Sequence, residues 1–151
     1  MSGQEMTVLD DGERVLPNVF ELSMGIDRSL YCILENSLHL TDNRIILKLP
    51  PYLAPIQIAV LPLLSKEPFT SEAMRIYCSL KQDFDVVYDA SGSIGRRYAR
   101  YDEVGVPMDI TIDHQTLEDR TVTIRFRDST IQLRVMEDDL RNFLRDHLKI
   151  G

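Results

Sequence analysis

The sequence predicts an α/β fold: a mixed five-stranded sheet flanked by helices, preceded by a separate strand–helix segment. Three observations lead there. Residues 56–63 are an almost unbroken apolar run, which reads as a strand buried on both faces. Residues 107–113 and 121–128 alternate at period two. In the first, Met108, Ile110 and Ile112 share one face and Asp109, Thr111 and Asp113 the other; in the second, Val122, Ile124 and Phe126 oppose Thr123, Arg125 and Arg127. That pattern predicts an antiparallel portion with one buried and one wet face. Between the strands lie segments with helical spacing.

Taken in order, residues 5–9 read as a strand, Asp11-Gly12 as a hairpin turn and residues 14–16 as the return strand. After Pro17, residues 19–23 form another short strand that runs through Gly25 into a helix, with Ile26, Leu30, Ile33 and Leu34 as its apolar stripe. Arg28 points off that stripe. Pro50, Pro51 and Pro55 interrupt regular structure and place a domain boundary between residues 50 and 51. Beyond it, Thr70 caps a helix carrying Ala73, Tyr77 and Leu80, residues 85–89 form a strand, and a helix covers about 94–104 with Ser93 as its cap. After the two alternating strands, joined by a loop over 113–120, residues 131–135 form a third. The closing helix starts at the acidic Glu137-Asp138-Asp139 and buries Leu140, Phe143, Leu144 and Leu148. The order is β-α-β-α-β-β-β-α.

The 151 residues carry a net charge of −7, with 44% hydrophobic and 27% charged residues. This composition excludes disordered and fibrous classes. The longest central aliphatic stretch, residues 58–64, contains a proline and is far short of the about 20 residues of a membrane span. The first residues lack a basic start and an apolar core, so no secretory signal is expected, and the reading is a soluble, cytoplasmic protein without membrane partners. Cys32 and Cys78 are far apart, and His39, His114 and His147 are scattered, so no metal site is expected. Acidity argues against general nucleic-acid binding. The charge is uneven, however: residues 94–134 hold seven acidic and seven basic residues, and every basic one is arginine.

Three constellations carry chemistry. In residues 89–100, a glycine–serine turn feeds a helix start, with Arg96, Arg97 and Arg100 on one outward arc and Ile94, Tyr98 and Tyr101 opposite. Free N–H groups and guanidinium groups there suit an anion; a salt-bridged solvated helix gives the same pattern. No Gly-Lys-Ser/Thr follows, which excludes a Walker loop. Arg125 and Arg127 lie on one strand face, with Glu118 just before. They suit the base edges of an unstacked strand, or an ion pair with Asp109 or Asp113. In residues 21–28, Arg28 projects from a first helical turn, suited to a phosphate oxygen, and Glu21 and Ser23 share a face suited to a small ammonium group. No nucleophile–base pair is legible.

Together these segments resemble glycyl-tRNA synthetase of the archaeal and eukaryotic type. The resemblance rests on residues 17–21, 25–28, 54–55, 60–63, the run Ser91-Gly92-Ser93-Ile94-Gly95-Arg96-Arg97-Tyr98-Ala99-Arg100, residues 102–105, 121–125 and 127–129. It implies that residues 1–50 are the end of a class II catalytic domain with motif 3, and that 51–151 are the anticodon-binding domain. On that resemblance, Gly25, Ile26, Asp27 and Arg28 belong to the ATP site, and Glu21, Ser23 and Gly25 to the glycine pocket. Ser91, Arg96, Arg97, Arg100, Glu118, Arg125 and Arg127 are the anticodon-binding set. Leu22 and Met24 depart from the family pattern in the pocket. The implied partners are tRNA(Gly), glycine and ATP with magnesium in the complete, homodimeric enzyme. Motifs 1 and 2 are absent from the sequence, so the chain alone binds no cofactor and is expected to be inactive. The alternative is a non-catalytic accessory protein reusing the anticodon-binding fold, as the accessory subunit of mitochondrial DNA polymerase does.

Overall fold

The computed structural model describes residues 7–18, 20–41 and 44–148. Its centre is a five-stranded sheet in the order β6-β5-β7-β8-β9, built from β5 (Ile58–Pro62), β6 (Val86–Tyr88), β7 (Met108–Ile112), β8 (Thr121–Phe126) and β9 (Gln132–Met136). β5 pairs in parallel with β6 and β7, and β7, β8 and β9 are antiparallel. The predicted mixed sheet is therefore present.

Alternate residues of β5 face two different layers. Ile58 and Val60 join Met108, Ile110, Ile112, Val122 and Ile124 under α2 (Phe69–Leu80) and α5 (Glu137–Leu148), whose Ala73, Ile76, Leu80, Leu140, Leu144 and Leu148 close this layer. Each Ile or Leu so buried contributes about 1.5–3 kcal/mol relative to an exposed one. Ala59 and Leu61 turn the other way, toward Tyr101, Val106, Ile94 and Tyr98, the inner side of α3 (Ile94–Val104). α3 has the predicted bounds, and Ser93 is its N-cap, although its hydroxyl makes no cap bond. α2 begins at Phe69 after Pro68, so Thr70 lies inside the helix and its hydroxyl donates to Glu67 at 2.7 Å.

One expectation about the sheet is corrected. β7 and most of β8 are buried on both faces, including Asp109, Thr111 and Arg125. α3 roofs the side that alternation marked as wet. The expected loop after β7 also contains a helix, α4 (His114–Asp119). Asp113 accepts from the Thr116 N–H at 3.1 Å, and the Thr116 hydroxyl accepts from the Asp113 N–H at 3.1 Å, a reciprocal cap.

The preceding segment is loosely organised. β1 (Val8–Asp10) and β2 (Glu13–Val15) form the expected hairpin, with positive φ at both Asp11 and Gly12. Residues 5–6 and Val19 of the two predicted strands lie outside the described residues, and residues 20–23 form no strand. α1 (Ile26–Ser37) buries only Ser37; Phe20 and Ile26 are 92% and 84% exposed. A hairpin not foreseen follows, β3 (Leu38–Thr41) with β4 (Arg44–Leu47). Ile46 and Leu49 are buried, and β4 lies against α3. Gly105, at φ +90°, lets this approach happen: a Cβ there would sit 3.1 Å from the Leu47 carbonyl and from Leu49 Cδ1. Residues 44–49 thus pack across the proline-rich boundary.

Candidate nucleic-acid interface

β5, β6 and β7 all end on one edge. From β5 the chain crosses by α2 to β6 on one side, and from β6 it returns by α3 to β7 on the other. The loops leaving the carboxyl ends of such strands are the usual ligand position in sheets of this kind, and two walls stand along this edge. The 89–93 turn and the start of α3 form one wall. α4, following β7, forms the other.

Asp89 organises the first wall. Its Oδ1 accepts the Ser91 N–H at 2.7 Å and the Ser91 hydroxyl at 2.6 Å. Its Oδ2 accepts from Arg100 and, at 3.3 Å, from the Tyr101 hydroxyl. Burial pushes the Asp89 carboxyl up, but the two Ser91 bonds, with Arg100 and Tyr101, outweigh it and hold the group below its ordinary value. Arg100 also donates to the Ser91 hydroxyl at 3.0 Å. Gly92, at φ +74°, supplies the left-handed residue this turn needs. On the second wall, Asp113 Oδ2 accepts from the Thr123 hydroxyl at 3.0 Å and from Arg134 at 2.5 Å. Glu118 stands exposed on α4.

Of the seven residues expected to meet an anticodon, Ser91, Arg96, Arg100 and Glu118 are exposed on elements at this carboxyl edge. Arg97, Arg125 and Arg127 are not on an outward face, and that expectation is corrected. Arg97 is 1% exposed, its NH1 donating to the carbonyls of Pro62 at 2.7 Å and Asp89 at 3.0 Å. Arg125 donates to both oxygens of Asp102 at 3.0 Å and to Asp109 at 2.8 Å, under the Tyr98 ring. Arg127 donates to the carbonyls of Gly105 at 2.8 Å and Leu49 at 2.9 Å, and pairs with Asp128. The physical reason is α3, whose inner face supplies Asp102 and Tyr98 above the strand. The cross-strand pair to Asp109, one of the two readings left open, is the one observed. Sequence reasoning missed Asp89 as an organiser. A signal existed in Asp-x-Ser ahead of a glycine, the pattern of a side chain bonding its own backbone two residues on.

Glu21, Ser23, Gly25, Ile26, Asp27 and Arg28 lie on the exposed approach and first turn of α1. The Ser23 hydroxyl donates to Glu21 at 2.8 Å. Arg28 is the single cation of this stretch, which is open to solvent throughout. Among the described residues no group of three His, Cys, Asp or Glu is placed to hold a metal ion, and no helix is long and apolar enough to cross a membrane.

Three similar proteins are named glycine–tRNA ligase. That of Thermococcus sibiricus is 53% identical over 137 residues, 89% of this chain and 24% of the relative. That of Archaeoglobus fulgidus is 47% identical, covering 90% of this chain and 25% of the relative. That of Methanocaldococcus jannaschii is 44% identical, covering 99% and 28%. The chain thus spans about a quarter of the length of these relatives. The family described as anticodon binding domain matches residues 57–147, the span from just before β5 into α5 that builds the sheet, its helices and the carboxyl-edge walls, and to that family the chain belongs.

Proposed function

We propose that this chain is the anticodon-reading portion of a glycine–tRNA ligase and recognises the anticodon of tRNA(Gly). The observation that carries the reading is the exposed set Ser91, Arg96, Arg100 and Glu118 on elements at the carboxyl edge of the sheet, in a chain about half identical to enzymes of that name. Unstacked loop bases lie along this edge. Glu118, acceptor only when ionised, takes hydrogens from base amino or imino groups. The Ser91 hydroxyl, held by Asp89, reads a second base edge. Arg96 and Arg100 meet phosphate oxygens. With a chain charge of −7, affinity comes from these local contacts and the work is cytoplasmic.

The approach to α1 has a narrower part. Arg28 suits a phosphate group of ATP, and Glu21 with Ser23 suits the amino group of glycine, once further polypeptide closes over them; magnesium-bound ATP, glycine and a second copy engage only there. The purified chain therefore gives background pyrophosphate exchange with glycine and ATP.

The test is titration of a tRNA(Gly) anticodon arm, and of the same arm with a changed anticodon, at several salt concentrations. The cognate arm binds more tightly. Arg96→Ala and Arg100→Ala each weaken both arms and flatten the salt slope by about 0.7. Glu118→Gln weakens the cognate arm selectively, by about 1–3 kcal/mol if a base edge is read as on DNA. Equal binding of both arms by the unaltered chain overturns the reading.

A further inference from the structure

Arg97 is fully buried and, among the described residues, no carboxylate pairs with it. A buried cation that no carboxylate touches, with the Asp89 charge acting on it only through space, is a poor way to gain stability, so its position calls for another account. Its hydrogens go to backbone carbonyls: Pro62 at 2.7 Å, Asp89 at 3.0 Å and Leu63 at 3.5 Å. Its Nε has no partner.

These carbonyls mark where the sheet opens. The β5–β6 ladder ends at Val60↔Tyr88, with one further bond from the Asp89 N–H to the Val60 carbonyl at 3.2 Å. Beyond that point β5 continues beside β7 alone, to Pro62↔Ile112. The Arg97 guanidinium spans the gap, holding the end of β5 and the residue after β6 at one spacing. The tie reaches further through Asp89, whose carboxylate fixes both the backbone and the hydroxyl of Ser91. The Ser65 hydroxyl, donating to the Ala90 carbonyl, is a second cross-link between the same lips.

We propose that Arg97 is a positioning residue for selectivity: without touching RNA, it fixes the separation of the 62–65 and 89–93 lips and so the place of Ser91 at the carboxyl edge. The proposal rests on the anticodon reading above. Loss of the guanidinium leaves Ser91 and the phosphate-facing arginines in the molecule but lets the two lips drift. Selectivity falls, and charge-driven affinity does not.

The experiment compares the unaltered chain, Arg97→Ala and Arg97→Lys, each shown folded by circular dichroism at the binding temperature, on cognate and changed anticodon arms across salt concentrations. In Arg97→Ala the cognate preference falls about tenfold, while affinity for the changed arm and the salt slope stay as in the unaltered chain. Guanidinium chloride at about 10 mM, far below denaturing concentrations, restores the preference in Arg97→Ala by refilling the cavity, whereas sodium chloride at the same concentration does not. If Arg97→Ala fails to fold, Arg97→Lys carries the test. Its single ammonium cannot span three carbonyls, and its preference falls with unchanged slope. A folded variant that keeps the full preference overturns the proposal. So does a salt slope flattened by about 0.7, which marks a direct phosphate contact. An unaltered chain with no preference overturns the anticodon reading itself, a result distinct from both.

Discussion

Arg125 and Asp102 meet fork to fork, with NH1–Oδ1 and NH2–Oδ2 both at 3.0 Å. The Tyr98 ring centre lies 4.6 Å from the guanidinium carbon. A strand residue is thereby locked to a helix residue in the interior. Asp109 takes a further hydrogen from Arg125 at 2.8 Å, and Arg44 on β4 adds a second cation to Asp102, so two guanidinium groups face two carboxyl groups.

Removing Arg125 leaves Asp102 and Asp109 buried with only the half-exposed Arg44 nearby. Arg125→Met therefore destabilises the chain by about 3–5 kcal/mol, the penalty for stranding a buried charge. Arg100→Ala removes an exposed partner of Asp89 and costs about 1 kcal/mol or less. Urea unfolding of both variants checks the contrast. Equal losses would show that the Arg125 network exchanges with water.

Asp109 gives stability a pH dependence. Burial is the main cause. Arg125 opposes it, Asp102 adds to it, and one carboxylate oxygen lacks a partner, so the group is pushed up to about 7 from an ordinary 3.8. The folded chain holds a proton that the unfolded chain releases near pH 4. This contribution is complete below about pH 4 and is lost as pH rises through about 7, at up to about 1.4 kcal/mol per pH unit. Asp109→Asn keeps an acceptor for Arg125, removes the group that ionises and abolishes this slope, so the variant overtakes the parent above neutrality. Unfolding midpoints of both at pH 5, 6, 7 and 8 test it; parallel curves would remove Asp109 as the source.

Gly105 joins two constraints, a left-handed backbone and the carbonyl of Leu47 at 3.1 Å from any added Cβ. Gly105→Ala costs about 1–2 kcal/mol for the conformation alone. It also pushes β4 off α3. Hydrogen exchange of the Lys48 amide, bonded to the Ser37 carbonyl at 2.7 Å, accelerates in the variant more than that of β5 amides. Uniform acceleration would mean that only global stability had changed.

α1 shows Ile26, Leu30, Tyr31 and Leu34 to solvent, an apolar face of the kind that drives association. The chain self-associates with rising concentration, and Ile26→Glu with Leu30→Lys suppresses this while leaving the unfolding midpoint of the sheet unchanged. Sedimentation velocity reads the first effect and urea unfolding the second. Amides of α1 exchange faster than those of β5.

Legibility in the sequence followed the range of the forces involved. The apolar run became β5, and the helical stripes became α3 and α5, because period and burial are local signals. Alternation at Asp109 and Arg125 misled, since period two reports only that two faces differ. It does not say whether a helix brings a carboxylate to the second face, as Asp102 does. Arg97 misled for the same reason: three arginines on one arc look alike on a wheel, and only the parting of β5 and β6 provides carbonyls for the middle one. The short helix α4 hid behind a reciprocal cap of two residues. Ser91 as a base contact came from resemblance to a family, and Glu118 from that resemblance together with its place just before Arg125 and Arg127.

The sheet carries chemically unlike layers, and they tolerate inheritance of change differently. Under α2 and α5 every inward group is aliphatic or aromatic, so one Leu, Ile, Val or Met can replace another with some repacking for about 1.5 kcal/mol or less. Under α3 the inward groups are addressed to each other: Arg125 to Asp102 and Asp109, Tyr98 to Thr111, Arg127 to Gly105 and Leu49. A single replacement there strands a partner, and a one-turn slide of the helix would mismatch every pair at once. One side of the sheet can wander through sequence space in single steps, while the other changes only when two positions change together.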